Sequence, residues 1–477
     1  MSGRRAKRND DQLSFPDWVD VALRASPAAE RAPRRPTAPR RPIAARRAEH
    51  APRPARVPRR TAVAEGQVAF DLTSPSRAAG ALATPPGLVS RRLFLIATLL
   101  LLMFGIVMAY SASTAHAYFT YGSSFYYLKR QVLFAVVGLA AMGALSRIDY
   151  VLWRRLAWPL AGGICALIAV VLVPGVGVEV NGAQRWLDVG GSSLQPSEFA
   201  KLGAIVLAAA LITKRPKEMD RFGRFVFVIC MAVVPFALLI LLGKDLSTTA
   251  VLVVGVGAVL VAAGVRWRYL LSVAALLPVL AAMLVLIEPY RLNRFLAFLD
   301  PWADAADGGF QATQSLISVA SGHLFGVGLG ESVQKTGYLP EATTDMIASI
   351  IGEELGLFGL CLLIGLYVLF TWAGLRIALE CREPFGRLVA VGVTTGIAVQ
   401  AVLNIAAALG LLPILGVPLP LVSCGGTSLL AVLASVGVLL NIATNRRSFI
   451  VATPERRKRA HSSRGHGRPH GARSGGR

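Results

Sequence analysis

Between Leu299 and Gly359 the chain gathers carboxylates, amides and glycines at a density that its apolar flanks never reach. Asp304 and Asp307 lie within Pro301–Gln311, which ends on Gly309, Phe310 and Gln311. Gln334 and Lys335 precede Tyr338–Glu341, Asp345 follows two threonines, and Glu353 and Glu354 stand in Gly352–Gly356. Side chains of these types can exchange protons with a bound substrate, and a long polar loop on an apolar body is where such chemistry is usually kept. Each residue also has a plainer reading. A lone aspartate in Trp302–Gly309 is ordinarily a turn or cap residue, and Asp345 could cap the helix it precedes. Glu353 and Glu354 fall just inside an apolar helix, so they are expected to be paired or to face a cavity.

The elements that must carry this loop are membrane helices. Hydrophobic residues make up 54% of the 477, and charged residues only 16%, yet the net charge is +23. The excess sits at the ends, with nineteen Lys and Arg against eight Asp and Glu in residues 1–92, and ten against one in 446–477. Ten apolar runs follow one another: 93–111, 131–145, 156–173, 199–212, 225–242, 246–264, 269–287, 346–375, 388–411 and 427–442. The second and fourth are short, which leaves nine or eleven open. Basic residues favour both termini and the even loops on the cytoplasmic side. The sequence therefore predicts an all-α polytopic membrane protein of about ten helices, with one large extracytoplasmic loop, residues 288–345, between helices 7 and 8.

Other polar groups then share the outer face. Asn181–Trp186 contains Arg185, and Gln195–Glu198 leads to Lys201 at the start of the fourth helix, where a local Glu198–Lys201 pair is the simple explanation. Lys244 and Asp245 occupy a tight hairpin. Farther on, Asn404, Gly410, Pro413, Gly416 and Pro418 precede Leu421–Ser428, which contains Ser423, Gly425 and Gly426. Broken backbone at membrane depth must be buried in protein or line a cavity, so this segment should wall one.

The tails form separate units. Residues 1–92 are rich in Arg, Pro and Ala and are expected to be disordered, as are 446–477, leaving 93–445 as the membrane domain. The N-terminal tail reads as a topology determinant drawn to anionic lipid, or as a docking arm in which residues 13–23 form a short apolar helix. Nucleic-acid binding is not expected, because interleaved aromatics are lacking. Ala115–Ala117 imitates a signal-peptidase site, but the long preceding segment argues against cleavage. The five cysteines show no CxxC spacing, so neither a disulfide framework nor a metal cluster is expected. Gly326–Gly330 resembles a dinucleotide loop but follows no strand, and its glycines more simply allow loop motion.

Residues Leu93–Asn445 resemble the SEDS family (shape, elongation, division and sporulation), ten-helix polymerases of bacterial cell-wall peptidoglycan. The resemblance rests on Asn181–Trp186, Gln195–Lys201, Asp245–Thr248, Pro301–Asp304, Gly309–Gln311, Gln334-Lys335 with Tyr338–Glu341, Thr344-Asp345, Gly352–Gly356 and Asn404 through Ser428. The wording of Gln334-Lys335, Tyr338–Glu341 and Gly352–Gly356 is closer to the family's division member than to its elongation member. The family places its catalytic acid in Pro-Trp-x-Asp-Pro-x-Gly-x-Gly-(Tyr/Phe)-Gln, which assigns it to Asp304. Ala305 and Asp307 depart from that motif, and Asp307 adds a carboxylate that could compete for the role. Cys424 departs from the C-terminal signature.

The resemblance implies polymerisation of lipid II at a septum, with release of undecaprenyl pyrophosphate. Because a pyrophosphate leaves unprotonated, one base and compensating positive charge suffice. Asp304 would take the proton from the acceptor 4-hydroxyl. Arg294 is the foremost cation for the pyrophosphate, with Lys335, Arg185 and Lys244 as further candidates. Gln311, Glu198 and Lys201 are further substrate-site candidates, and Asp245, Asp345, Ser423, Gly425 and Gly426 belong to the cavity. A divalent cation, Mg or Mn, could assist, and no organic cofactor is implied. A class B penicillin-binding protein would crosslink the product, and other division proteins could meet the tails. A lipid II flippase and a non-catalytic division scaffold are the alternatives; the crowding of ionisable groups at the outer face favours the enzyme.

Overall fold

The computed structural model describes residues 88–180, 183–190 and 192–444. Residues 1–87 and 445–477, which hold the 13–23 docking helix and nearly all of both expected tails, lie outside them, as do Asn181 and Gly182 of the outer motif. Leu88–Arg92, counted above with the disordered tail, instead begin the first helix. Among the described residues are thirteen α-helices: α1 Leu88–Tyr121, α2 Tyr126–Leu145, α3 Tyr150–Val171, α4 Ser197–Lys214, α5 Phe222–Ala232, α6 Val234–Leu242, α7 Leu246–Ala262, α8 Trp267–Ile287, α9 Pro289–Leu299, α10 Phe310–Ser321, α11 Ile347–Glu380, α12 Pro384–Ala408 and α13 Gly426–Thr444.

Eight segments are long and apolar enough to cross a membrane: α1, α2, α3, α5 with α6, α8, α11, α12 and α13. Two expected spans complete the series. Helix α7, at 17 residues, is apolar but short. Helix α4 has 18 residues and carries Glu198, Lys201 and Lys214. The fifth expected span is divided at Val233, because Pro235 in the first turn of α6 cannot donate to the preceding turn.

Local chemistry sets several boundaries. Asp149 caps α3 by accepting from the Val151 amide, and Glu383 caps α12 by accepting from the Gly386 amide, with Pro384 between them fixing the first turn. The bundle is built around α4, α12 and α13. Helix α13 packs on α2, α11 on α1 and α12, α12 on α7, and α3 on α4. No residue in the apolar window of α8 is buried, whereas 83% of that of α13 is. Helix α8 therefore stands at the margin, where its apolar side chains suit lipid, and α13 is central.

The outer polar segments are more ordered than periodicity alone indicates. Three short strands, β1 Val178–Val180, β2 Ala183–Val189 and β3 Ser192–Leu194, form an antiparallel sheet in the order β1-β2-β3. Val178 pairs with Trp186, and Leu187 with Leu194. The long loop contains α9 and α10 with a turn-rich stretch between them. Beyond α10, the chain folds back against α11. There Gly356, at φ 65° and ψ −160°, interrupts the helix, so that Leu357 donates to the His323 carbonyl and Phe358 to that of Leu324. A Cβ on Gly356 would stand 2.5 Å from the Gly326 amide nitrogen, so the approach requires glycine.

Candidate active site

Asp304 lies in the turn-rich segment between α9 and α10. Asp300 opens that segment by accepting from the amides of Trp302 and Ala303, both at 3.2 Å. The Asp304 carbonyl accepts from Gly309 at 2.8 Å, and its carboxylate Oδ2 accepts from the Gly308 amide at 3.0 Å. Thr313, in the first turn of α10, donates to the Pro301 carbonyl at 2.9 Å. Gly309 is indispensable to this wrap, since a Cβ there would lie 2.3 Å from the Pro301 carbonyl oxygen. The turn closes with Ala305 and Asp307 in place, so the two departures do not open it.

Asp304 is exposed on a cavity of about 600 Å³ that also meets Asp307, Arg294, Gln311 and the broken segment at Gly410–Ile414. A space of that size accommodates a sugar headgroup. Arg294 projects from α9 and donates through Nη1 to the Ile414 carbonyl at 3.3 Å. Gln311 donates to the Pro340 carbonyl at 3.3 Å, which ties the start of α10 to the Tyr338–Glu341 motif. Asn293 and Asp300 also line the cavity. Sequence reading missed both; their one signal is that they flank Arg294 and Pro301.

The remaining candidates sit elsewhere. Lys335 is buried and paired with Glu354 at 2.8 Å, and Glu354 also accepts from Ser111. Glu353 accepts from Ser318, Ser332 and the Val333 amide. Both glutamates thus clamp the loop after α10 onto α11: Glu354 has the ion partner expected of it, and Glu353 is held by three neutral donors instead. Arg185 of β2 donates to the carbonyls of Gly243 and Lys244, at 2.8 and 2.6 Å. It braces the α6–α7 hairpin, where Lys244 adopts φ 60° and lies 3.9 Å from Glu288.

Asp245 is buried in that hairpin. It accepts from Ser247, from the Thr248 amide and hydroxyl, and from Gln195 Nε2. Glu198 and Lys201 form the local pair at 2.8 Å, but Lys201 also donates to Gln400 at 2.7 Å, and Gln400 donates to the Pro418 carbonyl. This chain runs through the bundle core beside a separate space of about 30 Å³.

Ser423 donates to the Thr344 carbonyl and accepts from Leu419, and Gly425 donates to the Ser423 carbonyl. Gly426 lets the Phe134 ring approach to 2.4 Å of where a Cβ would be. Burial pushes the Cys424 thiol up to about 12, so that departure introduces an inert group. No side chain caps α11: Met346 stands at its cap, and the capping role considered for Asp345 is not the one it has. Burial and then the Glu341 carboxylate push Asp345 up to about 7, against the pull of Arg294.

The sequence profile of the FtsW, RodA and SpoVE proteins, described as cell cycle proteins, matches residues 91–448. The chain belongs to this family. It is 41% identical over 352 residues to a probable peptidoglycan glycosyltransferase FtsW of Geobacter sulfurreducens, covering 73% of this chain and 94% of that protein. It is likewise 41% identical over 356 residues to stage V sporulation protein E of Bacillus subtilis, covering 74% and 97%. Among solved structures, a chain of a peptidoglycan synthase complex that coordinates polymerization and crosslinking superposes with a TM-score of 0.63 at 30% identity, covering 74% of this chain and 98% of its own. The rod shape determining protein RodA of Thermus thermophilus gives 0.55 at 28% identity, covering 74% and 96%. The family expected from the motifs is thus the family found, and the polytopic α-helical fold is the fold of its solved members.

Proposed function

We propose that the chain is a peptidoglycan glycosyltransferase that polymerises lipid II for septal wall synthesis and releases undecaprenyl pyrophosphate. The observation that carries this reading is that Asp304 and Arg294 meet on one headgroup-sized cavity, walled on its other side by the broken segment at Gly410–Ile414. The acceptor 4-hydroxyl attacks the donor anomeric carbon, a C–O bond forms, and the bond to the pyrophosphate breaks. Asp304 takes the hydroxyl proton. Its Oδ2 is held by Gly308, which fixes the carboxylate plane and leaves Oδ1 for the substrate. The pyrophosphate leaves with its charge met by Arg294, so no second carboxylic acid is required.

A divalent cation, Mg or Mn, fits the oxygen donors of Asp304 and Asp307, which line the same cavity. Among the described residues no group of three or more His, Cys, Asp or Glu converges, so the pyrophosphate itself would complete such a site. When bound, the ion would neutralise leaving-group charge. This reading puts both termini in the cytoplasm and the Asp304 cavity outside, following the distribution of basic residues between the spans. A class B penicillin-binding protein is the expected partner, in keeping with the synthase complex among the structural neighbours, and other division proteins are expected at the tails.

The test is polymerisation of labelled lipid II by the full chain with its transpeptidase. Asp304→Ala should abolish glycan strands, with folding retained. Lost polymerisation in Asp307→Ala alone would transfer the base to that residue. Lipid II crossing vesicles without any polymerisation would favour the flippase, and neither activity would favour the scaffold.

A further inference from the structure

Asp345 is not part of the cavity lining, yet it faces the arginine that is. Three ties fix its backbone against the broken segment. Cys424 donates its amide to the Thr343 carbonyl at 3.0 Å, and Ser423 donates its hydroxyl to the Thr344 carbonyl at 2.5 Å. Asn404 Nδ2 donates to the carbonyls of both Asp345 and Val417, each at 2.7 Å. Gly416, at φ 71°, turns its open face toward both charged side chains. A Cβ there would stand 3.3 Å from Asp345 Oδ2 and 3.7 Å from Arg294 Nη1. Carboxylate and guanidinium therefore lie within about 7 Å of each other, on the face of Gly416 that carries no side chain.

We propose that Asp345 is a positioning residue for the donor's anion: ionised, it draws Arg294 toward Gly416 and neutralises it, and protonated, it releases the guanidinium to the pyrophosphate. The proposal rests on the reading that Arg294 holds that group. Four charged side chains bear on Asp345. Glu341 and Asp245 add to the effect of burial and favour its protonated form, while Arg294 and Arg185 oppose them, and the balance leaves the group at about 7. Both forms are therefore populated near neutral pH. A pyrophosphate diester keeps its two charges throughout that range, so its arrival beside Asp345 favours the protonated form, and the donor binds with proton uptake. The sign follows: the donor binds best below the Asp345 midpoint and more weakly above it.

Initial rates of lipid II polymerisation by the full chain with its transpeptidase, taken against lipid II concentration from about pH 6 to 8.5, read this directly. The apparent KM of the wild type should rise about three- to tenfold across the range, bounded by one proton per donor. Any kcat profile set by Asp304 is common to all variants. Asp345→Asn should give a low KM that is flat with pH, and Asp345→Glu should keep the rise at a displaced midpoint. An Asn variant that retains the wild-type slope overturns the proposal. Should that variant fail to fold, a Glu variant whose midpoint coincides with wild type overturns it equally. Arg294→Ala should show a high, pH-independent KM. If Arg294→Ala leaves KM unchanged, the anion-site reading itself fails; if Arg294→Ala raises KM but the Asp345 variants behave as wild type, only the positioning role fails.

Discussion

Asp304 and Asp307 share a cavity but differ in what their neighbours do for them. The Asp304 carboxylate is held by the Gly308 amide and its backbone by Gly309, whereas Asp307 enters the turn through its backbone alone, its amide 3.4 Å from the Asp304 carbonyl and its carbonyl accepting from Phe310 at 3.1 Å. Orientation of a base governs its worth, so Asp304→Asn should lower the polymerisation rate by about 10²–10⁴, and Asp307→Asn by less than about tenfold. Steady-state rates at saturating lipid II measure both. Asp345 carries a different consequence. Its proton affinity is raised in the folded chain, so the native state binds more protons than the unfolded one between the ordinary carboxylate range and about 7. Its contribution to stability is full in acid and is lost as pH rises through that window. Asp345→Asn should therefore raise the melting temperature relative to wild type at pH values above about 7 and have little effect near pH 4, as read by thermal unfolding in detergent.

Among the elements, the stretch after α10 depends on charges buried where they cannot meet water. Lys335 and Glu354 are 5% and 0% exposed, and removing one partner leaves the other uncompensated. Lys335→Met should cost about 3–5 kcal/mol of stability, and adding Glu354→Gln should restore much of it. A double-mutant cycle on thermal unfolding checks the sign, since a pyrophosphate-binding role for Lys335 would show instead as a raised KM with unchanged stability. The kink in α11 behaves similarly. Gly326, at φ 82°, passes within 2.1 Å, measured from a notional Cβ, of the Glu354 carbonyl oxygen. Gly326→Ala should loosen this stretch and destabilise the chain by about 1–3 kcal/mol.

Across the whole molecule, the proposed topology of ten crossings with both ends inside would put Asp307 and Glu218 on opposite sides of the membrane. A membrane-impermeant maleimide applied to intact cells should label Asp307→Cys and spare Glu218→Cys. The reverse pattern would invert the topology, and labelling of both would break the even count. The chain has five native thiols, at Cys165, Cys230, Cys361, Cys381 and Cys424, so the label is read in a parent with all five changed to Ala.

Hydropathy by itself determined the bundle, because an apolar run long enough to cross a bilayer has few other stable forms, and the positions of α1 through α8 and α11 through α13 follow from it. Motif wording determined the family. Asp304 came from the family motif and Arg294 from its place just before that motif, and the structure sets both on one cavity. What only tertiary structure decided is which charges share a cavity. Lys335 reads as an outer cation until Glu354, 19 positions later, takes it up. Arg185 reads the same way until the Gly243 and Lys244 carbonyls do so. The sheet at Val178–Leu194 escaped because its strands are short and their pairing, not their periodicity, defines them. Asp345 and Arg294 lie 51 residues apart in sequence and are brought to the same face of Gly416, which belongs to a third segment. Long-range pairing of charge depends on packing geometry, which hydrophobic pattern and local propensity do not encode.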